Sequence, residues 1–410
     1  MTRTPTRIIA VFTGNRAEYG LQYPILKAIQ AHPGLDYRLI VSGAHLDPDF
    51  GRTRDEIAAD GFDIHAEVKI DMAADDLGAA TANAIGSGVQ SMAAALSRLK
   101  PDLLVVYADR FEGFAAVIAG TQMNIPTAHI EGGDITEGGA LDDSVRHAMT
   151  KLAHLHFTTN QQASNRVLAM GEEDWRVHTV GFPAIDLIAA GNYAKQADLV
   201  GRYGLNPAKP LVVFTQHSVT QEAEQAASQI RPALAALGAL ADDGVQVIVT
   251  YPNNDSGARA IVAEIDRFGV SAGPLVQVHP SLGRANYHGL LALARDPAWR
   301  VCCAGNSSSG IKETPAFGCP TVNIGTRQQG RLRAENVIDA GYEADDIEGA
   351  IRRCLFDADF RAVSAAYENP YGVGDAGVKV AEVLAGVPLG QALIRKRMTL
   401  QGEARDGWYR

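Results

Sequence analysis

With 410 residues, the chain exceeds what one hydrophobic core organises, so two domains of ordinary size are expected. Its 46% hydrophobic and 20% charged content is that of a soluble globular protein, and no apolar run reaches the roughly 18 residues of a membrane span. A net charge of −10 gives no general attraction for nucleic acid or an acidic membrane, so an anionic ligand must be met by local arginines and backbone amides.

The start runs directly into an apolar strand without a signal-peptide core, which predicts a cytoplasmic protein. That strand, Arg7–Thr13 (RIIAVFT), is continuously apolar and β-branched, the pattern of a strand covered on both faces. The loop Gly14-Asn15-Arg16-Ala17-Glu18-Tyr19-Gly20 follows and leads into a helix. It is neither the GxGxxG dinucleotide fingerprint nor a phosphate-binding Walker loop, which removes support for nicotinamide cofactors and ATP. Further strands are expected at 37–43, 103–109, 127–131, 155–159 and 177–181, with helices such as 111–124 and 160–170 between them.

The alternation pauses near Gly181-Phe182-Pro183 and restarts at Leu211–Thr215 (LVVFT), with strands expected at 245–250, 275–278, 300–304 and 321–324. The reading is an α/β chain of two facing Rossmann-like domains with a cleft between them: residues 1–182, residues 183–365 carrying the nucleotide site, and a C-terminal helix and tail at 366–410. The four cysteines, Cys302, Cys303, Cys319 and Cys354, form neither a CxxC pair nor a disulfide framework, which fits a reducing compartment and gives no structural zinc. Cys302-Cys303 are expected to pack in the core.

The chemistry concentrates between Thr127 and His147, TAHIEGGDITEGGALDDSVRH. Two glycine pairs, Gly132-Gly133 and Gly138-Gly139, lie among Glu131, Asp134, Glu137, Asp142 and Asp143, after an apolar strand and before a charged helix. Glycines permit close backbone approach, and carboxylates at a strand's carboxyl end can converge as acid and base. Asp109 and Arg110 stand at the same kind of place after LLVVY, with a helix-capping ion pair as the alternative. In the second half, Gly305-Asn306-Ser307-Ser308-Ser309-Gly310-Ile311-Lys312-Glu313 opens a helix after a strand and offers hydroxyls, amides and a helix dipole to a diphosphate. An ordinary serine cap is the alternative. Glu313, one turn further, can accept from ribose hydroxyls; alone it would be a solvated helix residue. His217, Asn253 and Arg327 each follow a strand, where either a ligand role or a turn role is open. His154 and His156 are spaced as a possible metal pair, but no further ligand cluster accompanies them, so no metal is expected.

As a set and in this order, TGNRAEYG, SGAHL, ADRFE, HIEGGDIT followed by DDSVRH, FTQHSVTQE, YPNNDSG, GNSSSGIKE and NIGTRQQGR resemble the hydrolysing UDP-N-acetylglucosamine 2-epimerases of sialic-acid-type biosynthesis. The resemblance spans residue 7 to about residue 336. It implies a GT-B fold and conversion of a UDP-linked 2-acetamido sugar and water into UDP and the free 2-epimeric sugar, such as N-acetylmannosamine, through a glycal. It implies no cofactor and no metal, and a homodimer or homotetramer. Relatives act on GDP- or UDP-linked di-acetamido sugars leading to legionaminic-type acids. Carried over by motif, Asp109, Glu131 and Asp142 are the catalytic carboxylates and His217 assists them. Arg16, His45, Arg110, Asn253, Ser307, Ser308, Glu313 and Arg327 hold UDP. The ITEGGAL loop is longer than in some relatives, which leaves Asp143 open as the alternative to Asp142. The competing readings are a GT-B glycosyltransferase, a non-hydrolysing 2-epimerase, which resembles the chain less at HIEGG and HSVTQE, and a non-catalytic nucleotide-sugar sensor. A sensor needs no set of acids, and a transferase would release UDP only with an acceptor.

Overall fold

The computed structural model describes residues 6–46, 53–70, 77–136, 141–253 and 255–399. The chain divides into two compact units, one of Met1–Asp134, Leu141–Asp186 and Gly374–Arg410, the other of Ile135–Ala140 and Leu187–Val373.

In the first unit, β1 (Arg7–Thr13), β2 (Leu35–Ser42), β3 (Ile64–Val68), β4 (Leu103–Tyr107), β5 (Thr127–Ile130), β6 (Leu155–Thr158) and β7 (Val177–Thr179) form one parallel sheet ordered β3-β2-β1-β4-β5-β6-β7. All five residues of β4, LLVVY, are buried, as helices on both faces of a parallel sheet require. The chain runs outward from β1 to β3 and then returns to β4, so strand order reverses between β1 and β4. The loops leaving those two strands diverge there, at the sheet's carboxyl end, where open α/β sheets take ligands.

The second unit repeats the plan with β8 (Leu211–Thr215), β9 (Gln246–Thr250), β10 (Val276–His279), β11 (Val301–Gly305), β12 (Thr321–Ile324) and β13 (Val337–Ala340), ordered β10-β9-β8-β11-β12-β13 and parallel throughout. Its reversal falls between β8 and β11. Cys302, Cys303, Cys319 and Cys354 are all buried, free thiols.

The division of the chain differs in place from residues 182 and 366. The first unit runs on to Asp186, and from Gly374 the chain rejoins it. The helix Ala376–Gly386 buries Val380, Ala381 and Leu384 in the same core as Ile25, Leu26 and Ile29. Asp186 accepts from the amides of Ala376 at 3.0 Å and Gly377 at 2.7 Å, satisfying donors that a helix start leaves open. The fully buried Arg176 guanidinium donates to the carbonyls of His154, Ala392, Leu393 and Arg395, which fixes the next stretch of the return.

Candidate active site

The first unit's acids leave adjacent strands. Asp109 lies two residues beyond the end of β4 and Glu131 one beyond β5, and the strands are paired through Tyr107 and Ile130. Glu131 is buried and has φ +65°, a left-handed conformation rare for a residue with a Cβ. Ala108, just before Asp109, has φ +53°. Non-glycine residues held this way mark a backbone over-determined by its surroundings.

Those surroundings explain the first glycine pair. A Cβ on Gly132 would come 2.9 Å from Thr150 Oγ1 and 3.0 Å from His129 Nδ1. On Gly133, with φ +76°, it would come 2.3 Å from the Ala163 carbonyl oxygen. The close approach that these glycines permit is thus to the protein itself, which folds the acidic loop onto the helices behind it. Gly138-Gly139 and Glu137 lie outside the described residues.

His129 is fully buried and its Nε2–H donates to the Ala108 carbonyl at 2.6 Å, while Nδ1 lies 3.1 Å from the Thr150 hydroxyl. This fixes its tautomer, and burial pulls its pKa down to about 3, so the ring stays neutral. The ring therefore ties the turn before Asp109 to the helix Leu141–Leu152, which carries the DD pair. On that helix Asp143 and Arg146 face inward. Arg146 donates to Asp143 Oδ1 at 2.9 Å and, by its other terminal nitrogen, to Asp109 Oδ2. One buried guanidinium thus holds two carboxylates from different elements. Asp142 is exposed and acts electrostatically on Arg110, so the two aspartates separate: Asp143 is committed to Arg146, and Asp142 is on the solvent side.

Beside this group the Tyr107 hydroxyl is pushed well above its ordinary pKa, by burial first and the Glu131 charge second. Glu18 accepts the Gly14 N–H at 2.8 Å and is pushed up to about 8 by burial and then by Glu112. Arg110 reaches Glu112 at 3.4 Å and leaves half its side chain exposed. His45 is fully buried, with Nε2 3.0 Å from Thr13 Oγ1 and Nδ1 2.6 Å from Thr53 Oγ1. Both ring nitrogens are thereby used by the scaffold. The side chain of Arg16 lies outside the described residues.

In the second unit, the ends of β8 and β11 are zipped together. The His217 N–H donates to Asn306 Oδ1 at 2.6 Å, Asn306 Nδ2 donates back to the His217 carbonyl at 2.8 Å, and Gln328 Nε2 donates to the Asn306 carbonyl at 2.8 Å. Gly305, at φ +125°, allows this: a Cβ there would lie 1.9 Å from the Thr215 carbonyl oxygen. Half-buried Ser307 and Ser308 follow, with Ser307 Oγ 3.1 Å from Ser309 Oγ. The helix that this segment opens is Ser309–Lys312, followed by a tighter turn at Thr314–Phe317. Four residues add little macrodipole, so hydroxyls and cations must supply most of any anion affinity.

Those cations and dipoles are at hand. Arg327 Nη1 donates to the Asn306 carbonyl at 3.3 Å, and His217 Nδ1 lies 2.8 Å from Asn253 Oδ1. Burial and then the Arg327 charge pull the His217 pKa down to about 3, which makes it a neutral hydrogen-bonding group. Glu313, at the end of the short helix, meets His288 Nε2 at 2.7 Å. The structure therefore gathers His217, Asn253, Ser307, Ser308 and Arg327 around one set of strand ends, with Glu313 a turn beyond.

The HxH pair is engaged in the scaffold: His154 Nδ1 accepts the Thr127 N–H at 3.1 Å, and His156 Nε2 meets Glu172 at 2.9 Å. Among the described residues no group of three or more His, Cys, Asp or Glu could hold a metal ion, and no helix is long and apolar enough to cross a membrane. His129 and Arg146 stand at the two ends of the acidic stretch that the sequence singles out, which gave neither of them a role. The signal for Arg146 was its spacing, three residues after Asp143 on one helix, where such side chains meet.

A family model described as UDP-N-acetylglucosamine 2-epimerase matches residues 27–385. The UDP-N,N'-diacetylbacillosamine 2-epimerase (hydrolyzing) of Legionella pneumophila is 33% identical over 390 residues, covering 95% of this chain and 98% of the relative. The GDP/UDP-N,N'-diacetylbacillosamine 2-epimerase (hydrolyzing) of Campylobacter jejuni is 32% identical over 347 residues, 85% of this chain and 87% of the relative. Among solved structures, UDP-GlcNAc 2-epimerase from Neisseria meningitidis, bound to UDP-GlcNAc, superposes with a TM-score of 0.76 at 18% identity, covering 92% of this chain and 99% of the other. At that identity the last likeness speaks for the fold, which is of the GT-B kind.

Proposed function

The chain belongs to the UDP-N-acetylglucosamine 2-epimerase family, and on that premise we propose that it is a hydrolysing 2-epimerase. Its substrate is a UDP-linked 2-acetamido sugar, UDP-N-acetylglucosamine or the di-acetamido sugar named for the relatives, and its products are UDP and the free 2-epimeric sugar. The observation that carries the reading is the placement of Asp109 by Arg146 at a strand end next to the one that bears Glu131.

The reaction explains why several acids are needed. The hydrogen on the sugar's second carbon has no adjacent carbonyl, so it can leave only as the anomeric bond to UDP breaks and positive charge grows at the first carbon. UDP departs with the bridging oxygen, and a glycal remains. Water then gives its hydroxyl to the first carbon, and a proton returns to the second carbon on the face opposite to the one it left. Taking a proton from one face and returning one on the other asks for acid/base groups on both sides, while nearby carboxylate charge stabilises the cationic stage.

We assign Asp109 and Glu131 to proton transfer and Asp142, the solvent-side aspartate, to an acid/base or positioning role. Asp143 and Arg146 position Asp109. Ser307, Ser308, Asn253 and Arg327 hold the nucleotide diphosphate, Arg110 adds charge, Glu313 takes the ribose, and neutral His217 donates or accepts without bringing a cation. Proton NMR of each UDP-sugar with the protein tests the assignment. UDP appearing together with the free 2-epimeric sugar supports it, whereas a UDP-linked epimer, or a free sugar of unchanged configuration, contradicts it.

A further inference from the structure

None of the residues assigned above lies on the helix Gly283–Ala292, yet two adjacent residues of that helix, Tyr287 and His288, reach both ends of the Ser307–Glu313 loop. The Tyr287 hydroxyl lies 2.7 Å from Ser309 Oγ, which in turn lies 3.1 Å from Ser307 Oγ. His288 Nε2 lies 2.7 Å from Glu313 Oε2. The His288 side chain is 3% exposed and that of Glu313 13%, so the bond is shielded from water while the carboxylate keeps one edge open.

We propose that His288 is a positioning residue of the nucleotide site, holding one oxygen of Glu313 so that the other is presented to a ribose diol. The inference rests on the reading of Glu313 as the ribose acceptor. Glu313 ends a four-residue helix and precedes a tight turn, a place where a carboxylate otherwise has several rotamers open. His288 removes that freedom. Its ring is itself fixed, packed against Phe317 with ring centres 5.6 Å apart and against Tyr287 at 6.2 Å.

The tautomer follows from the same contacts. Nδ1 is buried with no hydrogen-bond partner, which suits a bare lone pair far better than an orphaned N–H. Nε2 is therefore assigned as the nitrogen whose hydrogen is donated to the Glu313 carboxylate. A carboxylate held in place by that bond needs no side-chain ordering to meet a ribose. A residue that only braced the fold would change stability and leave ribose selectivity untouched, and the two roles separate on that point.

The experiment measures calorimetric binding of UDP and of 2′,3′-dideoxyuridine diphosphate to the full chain, for the wild type and for Glu313→Gln, His288→Leu and His288→Gln. The wild type is expected to prefer UDP by about tenfold or more, the size of a charge-assisted hydrogen bond. Glu313→Gln and His288→Leu should each lose most of that preference, and His288→Gln, whose amide can place an N–H near the Nε2 position, should restore it. If Glu313→Gln leaves the preference intact, the ribose reading of Glu313 fails and this inference falls with it. If Glu313→Gln abolishes the preference but His288→Leu keeps it while melting earlier, His288 is only a brace. Should His288→Leu not fold, His288→Gln against His288→Asn decides, since the shorter amide cannot reach Glu313; equal selectivity in those two overturns the proposal.

Discussion

Replacing Arg146 with methionine removes the cation that holds Asp109 and Asp143 while keeping most of the side chain's volume. The side chains of Arg146 and Asp143 are 3% and 7% exposed, and that of Asp109 is 17% exposed. Breaking a buried ion pair by deleting one partner costs about 3–5 kcal/mol, because the charge left behind has neither water nor partner. Asp109 can recover some hydration, so the lower end, about 3 kcal/mol, is expected. The effect on turnover is separate: once unheld, Asp109 shifts from its place at the end of β4, and a misplacement of about 1 Å can cost a factor on the order of 10². Urea unfolding and UDP-release kinetics on Arg146→Met, Asp143→Asn and the double variant divide the two effects. Asp143→Asn combined with Arg146→Met should regain much of the lost stability, since one orphaned carboxylate is gone, but should stay slow because Asp109 is still unheld. Arg146→Met with wild-type turnover well below its unfolding transition would refute the reasoning and leave the ion pairs as scaffold.

Glu131→Gln keeps size and hydrogen bonding but removes the titratable group, and a turnover loss of roughly 10²–10⁴ is expected from steady-state rates; near-normal turnover would reassign Glu131 to loop structure. Ser307→Ala with Ser308→Ala should weaken UDP in calorimetry and leave the melting temperature in place, whereas unchanged UDP affinity with earlier melting would make these serines caps. Gly133→Ala should cost at least about 2 kcal/mol in urea, since a left-handed φ is charged about 1–2 kcal/mol for any other residue and the new Cβ meets the Ala163 carbonyl at 2.3 Å. Stability should also fall in acid: burial holds His129 near 3 and His45, His154 and His156 near 4, whereas the unfolded chain binds these protons near 6.5. Each such histidine withdraws up to about 1.4 kcal/mol per pH unit as pH falls from 6.5 toward 4, and Glu18, raised to about 8, runs the other way and offsets one of them. Equal urea midpoints at pH 7 and pH 5 would contradict this.

Continuous apolar runs such as RIIAVFT and LLVVY announced the central strands, because a strand buried on both faces leaves that mark in local composition. The edge strands β3 (IHAEV) and β13 (VIDA) did not, being short and only partly buried. The return of the chain to the first unit was likewise hidden. It depends on Asp186 meeting Ala376 and Gly377, and on Arg176 meeting Leu393, contacts between residues far apart in sequence that no periodicity encodes. Strand-end acids could be read from their position after apolar runs, but which way a side chain turns could not. SGAHL does not show that His45 points inward to Thr13 and Thr53. Asp142 and Asp143 looked alike until the helix put one toward Arg146 and the other toward solvent.

The central claim is that the anomeric bond breaks by elimination across the sugar's first and second carbons. Reaction in heavy water, followed by proton NMR of the sugar as it forms, tests it most directly. The account predicts a free 2-epimeric product carrying deuterium at its second carbon from the first turnover, with oxygen-18 from labelled water absent from UDP. A product that keeps its original hydrogen there, or labelled phosphate in the UDP, would contradict it.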